Sequence, residues 1–167
     1  MSVDSKVVFM DEPNNNLDLS NRLSSLLKEA GHDSKVISFE DYRFPLFGSG
    51  NNVDESEISG LIEMIHEAQG LIFCGPEYNG GVPPVLSNAI TWITVKSKNW
   101  RDAFNGKFAL IATSSGGDGK RFLTAFRSQL EHMGINVLAR TISSNPDKPL
   151  KEDSAKKILQ GLVDVIS

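Results

Sequence analysis

Five short apolar runs, each followed by a stretch whose apolar residues recur at helical spacing, constrain this chain more than any other feature of its sequence. The runs are Lys6 to Met10, Ser34 to Phe39, Leu71 to Phe73, Phe108 to Thr113 and Asn136 to Arg140. Runs of this kind suit strands that are buried on both faces. The intervening stripes are Leu19, Leu23, Leu26, Leu27 and Ala30, then Ile58, Leu61, Ile62, Ile65 and Ala68, then Val85, Leu86, Ala89, Ile90, Trp92 and Ile93. Two more follow, Phe122, Leu123, Phe126, Leu130 and Met133, and Ile158, Leu159, Leu162, Val163 and Ile166. Gly31 and Gly134 close two of these helices, Asp54 with Glu57 opens one as a capping box, and Pro83 and Pro84 open another. Strict alternation of strand and helix implies a parallel sheet covered on both faces, joined by right-handed crossovers.

With 167 residues, 40% of them hydrophobic, the chain can bury a core without staples, and a single domain over residues 1–167 is expected. Five strand-helix units wind most simply as a flavodoxin-like three-layer α/β/α fold with a five-stranded parallel sheet of order 2-1-3-4-5. In that winding the ligand crevice lies where the direction reverses, between strands one and three, and three loops border it: Asp11 to Asp18, Gly75 to Val82 and Ser114 to Gly119. The latter two are rich in Gly and small polar residues, which let backbone groups approach a flat ligand closely. The apolar arc from Pro84 to Trp92 is wider than one sheet-facing stripe needs, and the surplus, including Trp92 or Trp100, is available to a partner subunit or a ligand cleft.

Composition narrows the function classes. A net charge of -4 with scattered Lys and Arg offers no basic stripe for a phosphodiester backbone, so no nucleic acid partner is expected. Cys74 is the single cysteine, which precludes an internal disulfide and suits a reducing compartment; within its apolar run it reads as a small hydrophobe rather than a nucleophile. Met1 to Ser5 lacks the features of a signal peptide and no apolar run is long enough to span a bilayer, so no membrane association and a cytoplasmic location are expected. His32, His66 and His132 stand singly, so no metal site is expected, and no Gly-x-Ser-x-Gly elbow is present.

One stretch carries more specific information: Gly75-Pro76-Glu77-Tyr78-Asn79-Gly80-Gly81-Val82-Pro83, followed by Leu86-Ser87-Asn88-Ala89-Ile90-Thr91-Trp92. It resembles the signature of the NADPH-dependent FMN reductase family. Phe44-Pro45-Leu46-Phe47, Ser114-Ser115-Gly116-Gly117 and the closing unit from Phe126 to Leu138 resemble that family's segments at matching places. The resemblance implies FMN as cofactor and NADPH as electron donor, with Pro76, Glu77, Tyr78 and Asn79 lining the flavin ring and Gly80 keeping the loop tight. It implies that Ser115, Gly116 and Gly117 meet the opposite ring edge. No catalytic side chain is called for, because the flavin accepts hydride and passes electrons to a second acceptor such as a free flavin, quinone or azo compound. Members of the family commonly pair, which implies a homodimer or homotetramer.

The first loop departs from the resemblance. Where the family has a Gly-Ser-x-Arg-x-x-Ser phosphate cradle, this chain has Met10 to Asp18 with carboxylates at Asp11, Glu12 and Asp18 and no basic residue, although Asn14 to Asn16 offer donors. An alternative is therefore a non-enzymatic flavodoxin-like binding or assembly module that has lost FMN. A lesser alternative is a degenerate receiver-like signalling domain, suggested by the acidic end of the first strand. Against it, the third strand ends in Cys74-Gly75 where a receiver needs its phosphoacceptor aspartate.

Overall fold

The computed structural model describes residues 7–11 and 15–167, with strand residues 8–11 described through their backbone alone. The elements are β1 (Val7–Asp11), α1 (Asn15–Glu29), β2 (Ser34–Ser38), α2 (Phe39–Tyr42), α3 (Glu55–Glu67), β3 (Gly70–Cys74), α4 (Pro84–Lys96), β4 (Phe108–Ser114), α5 (Lys120–His132), β5 (Asn136–Val137), β6 (Ile142–Ser144) and α6 (Glu152–Ile166). All strand pairings are parallel. The sheet runs β2-β1-β3-β4-β5, and β6 also pairs with β4.

Strand residues alternate between two cores, as the pleat requires. Leu71 and Phe73 of β3, with Ala109 and Ile111 of β4, face a core completed by Ile58, Leu61 and Ile65 of α3, Leu86, Ile90 and Ile93 of α4, and Phe122, Phe126 and Leu130 of α5. Ile72, Cys74, Leu110 and Ala112 face the other core, filled by α1 and α6. Every residue of β3 is buried, which is why its segment reads as a continuous apolar run. Asp54 caps α3 by accepting the Glu57 amide at 2.8 Å, as its position before the stripe predicts.

Three expectations are corrected. The expected fifth strand, Asn136 to Arg140, is split: β5 holds only Asn136 and Val137, and the edge resumes at β6, so the sheet has six strands rather than five. The Arg127 guanidinium of α5 donates to the carbonyls of Val137 at 3.1 Å and Leu138 at 2.6 Å, drawing the chain toward the helix. Phe39, read as the end of the second strand, starts the single turn α2, which closes at Arg43 with a left-handed φ of 43°. The Trp92 part of the wide apolar arc of α4 is met within the chain, while Val85 stays exposed. Pro45 accepts a hydrogen bond from Trp92 Nε1 at 2.7 Å and Phe47 packs edge-on against the Trp92 ring, leaving it 4% exposed. Asn88 fixes the same segment, accepting the Phe47 amide at 2.8 Å and donating to the Pro45 carbonyl at 3.0 Å. Trp100 stays half-exposed, with the Arg101 guanidinium over its ring at 4.2 Å.

Candidate functional site

The carboxyl ends of β1 and β3 lie level, with Asp11 paired to Cys74, and β4 runs two residues past Ala112, the partner of Cys74, to Ser114. The chain leaves β3 through Gly75, whose amide donates to the Ala112 carbonyl at 3.2 Å, and the buried Pro76. Glu77 then turns toward the neighbouring loop. Its amide donates to Ser115 Oγ at 2.9 Å, and its carboxylate accepts the amides of Arg121 at 2.9 Å and Phe122 at 3.1 Å. Those amides are unpaired donors of the first turn of α5, whose own cap position, Gly119, has no side chain to satisfy them. Glycine is needed at 119: φ is +63° and a Cβ would stand 2.8 Å from Thr113 Cγ2. Glu77 thus supplies from a distant loop the cap that Gly119 cannot.

Ser115 is a brace. Its hydroxyl, besides meeting Glu77, hydrogen-bonds with Thr113 Oγ1 at 2.8 Å, and its amide donates to the Ser144 carbonyl at 3.2 Å. Beyond Glu77 the chain reverses: the Tyr78 carbonyl accepts the Gly81 amide at 2.9 Å, and the central residues Asn79 and Gly80 have φ of 51° and 70°. Positive φ at both central positions is the type I′ pattern, for which Asn-Gly is the favoured pair. Tyr78 and Asn79 stand exposed on this turn. Opposite it, Gly116 and Gly117 are exposed, and a Cβ at either would meet nothing within 4 Å. A cavity of about 470 Å³ is lined by Glu77 and by residues 115–121.

Asp118 secures the far side of this loop. Its carboxylate accepts from Lys148 Nζ and from Asn145 Nδ2, each at 3.2 Å, and its carbonyl accepts from Ser143 Oγ at 2.9 Å. The hydrogen bond from Lys148, with the charge of that ammonium and of Lys120, holds the Asp118 carboxyl below its ordinary range.

On the first loop, Glu12, Pro13 and Asn14 lie outside the described residues, as do Met1 to Lys6. Asn16, an expected donor toward a ligand, is committed elsewhere: it is 1% exposed and joins Ser114, accepting that residue's amide at 2.8 Å and donating to its carbonyl at 3.0 Å. Asn15 and Asp18 are exposed.

Of the residues singled out from sequence, Glu77, Ser115, Gly116 and Gly117 therefore line one cavity, Tyr78, Asn79 and Gly80 form the adjoining turn, and Pro76 is buried beneath it. The side chains of Glu77 and Ser115 are engaged in holding the loops together. Lys120 and Arg121, which border the cavity, were not anticipated; the pair directly after Gly119, at a helix start beside the crevice, is the signal that could have found them. Among the described residues, no three His, Cys, Asp or Glu side chains gather as a metal site would require.

Residues 9–147 match the NADPH-dependent FMN reductases. The chain belongs to that family. Membership makes it an oxidoreductase that works with FMN and reduced nicotinamide. The chain is 32% identical over 147 residues to the 2-hydroxy-1,4-benzoquinone reductase of a Burkholderia species, covering 81% of this chain and 76% of that one. A flavoenzyme NAD(P)H:(acceptor) oxidoreductase from Paracoccus denitrificans superposes with a TM-score of 0.72 at 19% identity, over 97% of this chain and 94% of that one. A flavodoxin from the domain Archaea superposes with a TM-score of 0.67 at 14% identity, over 96% and 98%. The two structures establish the flavodoxin-like fold. The open glycines at 116 and 117 and the exposed I′ turn at Tyr78 to Gly81 fit the edges of a flat, uncharged heterocycle such as the flavin ring of the family's cofactor.

Proposed function

We propose that this chain is one flavodoxin-like unit over residues 1–167 that passes electrons from NAD(P)H through FMN to a small acceptor. Pro76, Glu77, Tyr78, Asn79 and Gly80 are assigned to one side of the flavin ring, and Ser115, Gly116 and Gly117 to the other. The observation that carries this reading is the joining of the two loops by Glu77: one residue ties its amide to Ser115 and its carboxylate to the start of α5. Two loops so joined form a preorganised cradle, and ordering a ligand there costs less than closing two independent loops would.

When bound, FMN supplies hydride acceptance from the nicotinamide and release of electrons to the acceptor. The protein's part is to position, and no acid, base or nucleophile is required of it. Tyr78 and Asn79 border the turn side of the crevice, and the glycines at 116 and 117 leave their backbone accessible on the other. A benzoquinone is the acceptor class favoured by the name of the Burkholderia relative. Azo compounds and free flavin are the other candidates. Among the described residues no helix is long and apolar enough to cross a membrane. We place the protein in the cytoplasm, as a homodimer or homotetramer. Leu46, Phe47 and Val85 stay exposed at the Pro45 segment and the start of α4, a patch that supports pairing.

The test is to purify the protein, add FMN, remove the excess and record the visible spectrum before and after anaerobic NADPH. Retained flavin absorbance that bleaches with NADPH and returns with a benzoquinone is expected. No retained flavin and no NADPH oxidation in excess FMN would overturn this assignment in favour of a binding module without the cofactor.

A further inference from the structure

Arg121 combines three properties that no other described residue at the crevice shares. First, its aliphatic stem is seated on the Tyr78 to Gly81 turn: a Cβ at Gly80 would lie 3.1 Å from Arg121 Cδ, closer than an ordinary contact, so the bare glycine lets the stem lie against the turn. Second, its backbone amide is already taken by Glu77, as is that of Phe122, so what this end of α5 offers a ligand is the guanidinium and not the helix amides. Third, among the described residues no carboxylate forms an ion pair with it. Neighbouring cations are engaged: Lys148 lies 3.2 Å and Lys120 4.0 Å from Asp118, and on the outer end of the same helix Arg127 is bound to carbonyls and to Glu131.

A guanidinium without an ion-pair partner among the described residues, braced along its stem and exposed beside a cavity of about 470 Å³, suits a phosphate, which its planar fork can grip with two parallel hydrogen bonds. The donor is the polyanion that must enter this crevice. A reduced nicotinamide dinucleotide carries a pyrophosphate, and NADPH a further 2′-phosphate, whereas the chain as a whole has a net charge of -4 and repels it. The phosphate of FMN is a different matter, because the family resemblance assigns it to the loop after β1.

We infer that Arg121 is an anchoring residue for the electron donor and holds a phosphate of the nicotinamide dinucleotide. This rests on the reading of the crevice as the flavin and nicotinamide site. Glu77 sets where Arg121 leaves the helix and the Gly80 turn supports its stem, so the loop assigned to the flavin ring also positions the donor's anchor.

The test uses the FMN-loaded protein and the variants Arg121→Gln and Arg121→Lys. Binding of NADP⁺ and NAD⁺ is measured by calorimetry. Steady-state rates are taken with NADPH, NADH and N-benzyl-dihydronicotinamide, a donor without phosphate. The expected result for Arg121→Gln is NADP⁺ binding weakened by about tenfold and a matching rise in KM for NADPH, with kcat and the rates for the phosphate-free donor unchanged. Arg121→Lys, which keeps the charge but loses the fork, should fall between. A loss confined to NADP⁺ and NADPH assigns the 2′-phosphate, and an equal loss with NAD⁺ and NADH assigns the pyrophosphate. Unchanged dinucleotide binding, an equal loss with the phosphate-free donor, or a loss of FMN affinity instead would each overturn the inference. Wild-type protein that neither retains FMN nor oxidises NADPH would instead defeat the functional assignment itself.

Discussion

Asn16 and Ser114 exchange two hydrogen bonds across 98 positions of sequence, one from each side of the Asn16 amide, at 2.8 and 3.0 Å. The pair joins the first turn of α1 to the last residue of β4, so the far end of the first crevice loop is tied to the start of the third. Replacing Asn16 by Ala strands a part-buried amide and carbonyl of Ser114, which costs about 2 kcal/mol of folding stability. Asn16→Asp should be no rescue, since its carboxylate can accept the amide but opposes the carbonyl. Urea unfolding with an unchanged m-value and a lower midpoint is the expected signature.

One turn further along α1, Ser20 carries the opposite expectation. Its hydroxyl is fully buried and, among the described residues, has no hydrogen-bond partner. A buried polar group without a partner destabilises, so Ser20→Ala should leave stability unchanged or raise it by up to about 1 kcal/mol. A fall in melting temperature after Ser20→Ala would show that the hydroxyl is satisfied in solution.

The contrast between these two residues indicates what the sequence can and cannot disclose. Strands such as Leu71 to Phe73 and helices such as the Phe122 to Met133 stripe are legible because burial imposes a local period. The crevice loops are legible because Gly, Asn and Pro mark the backbone directly, as at Asn79-Gly80. Links that span the fold leave no local trace. The capping of α5 by Glu77 crosses 44 positions, and the bond from Arg127 that ends β5 early has nothing in its own segment to announce it. Phe39 misleads for a related reason: a residue 2% exposed reads as apolar whether it closes a strand or opens a turn. Trp92 looked like surplus surface because Pro45 and Phe47, which cover it, sit far away in sequence.

Glu77 provides a prediction in which capping and cofactor binding separate. Glu77→Ala removes the acceptor for two amides at the start of α5 and should cost about 1–2 kcal/mol. Glu77→Gln keeps one acceptor oxygen without the charge and should recover part of that loss. Because the Glu77 amide remains bound to Ser115 in both variants, FMN affinity should follow the order of stability, wild type above Gln above Ala. Thermal melts and flavin fluorescence titrations on the same preparations check both parts. Weaker FMN binding in Glu77→Gln without any stability loss would instead give the carboxylate a direct contact with the flavin.

Acid should loosen the third loop through Asp118. Its carboxyl is held below the ordinary value of 3.8, chiefly by the hydrogen bond from Lys148. A carboxyl lowered in the folded state contributes fully above its unfolded value and is lost as pH falls through the folded value, so the loop should keep its contacts at neutral pH and release them only in the acid range below about pH 4. Hydrogen exchange of the amides at 115–119 should accelerate there beyond the intrinsic pH dependence. Asp118→Asn, which cannot titrate, should lack that step and already exchange faster at pH 7.

Asp18 sets two effects of one charge against each other. It lies exposed in the first turn of α1, where a negative charge meets the positive end of the helix and stabilises by about 0.3–1 kcal/mol. The loop before it is where the family resemblance puts the FMN phosphate, and repulsion between two solvated charges about 4 Å apart is about 1 kcal/mol. Asp18→Asn should therefore lower the melting temperature slightly while tightening FMN binding by about fivefold at low salt, with the gain shrinking as salt screens the pair. Riboflavin, which has the ring and no phosphate, separates the causes: its affinity should be the same for both proteins. An equal gain for riboflavin would mean that Asp18 acts on the shape of the loop, and the carboxylate would then have no part in repelling the phosphate.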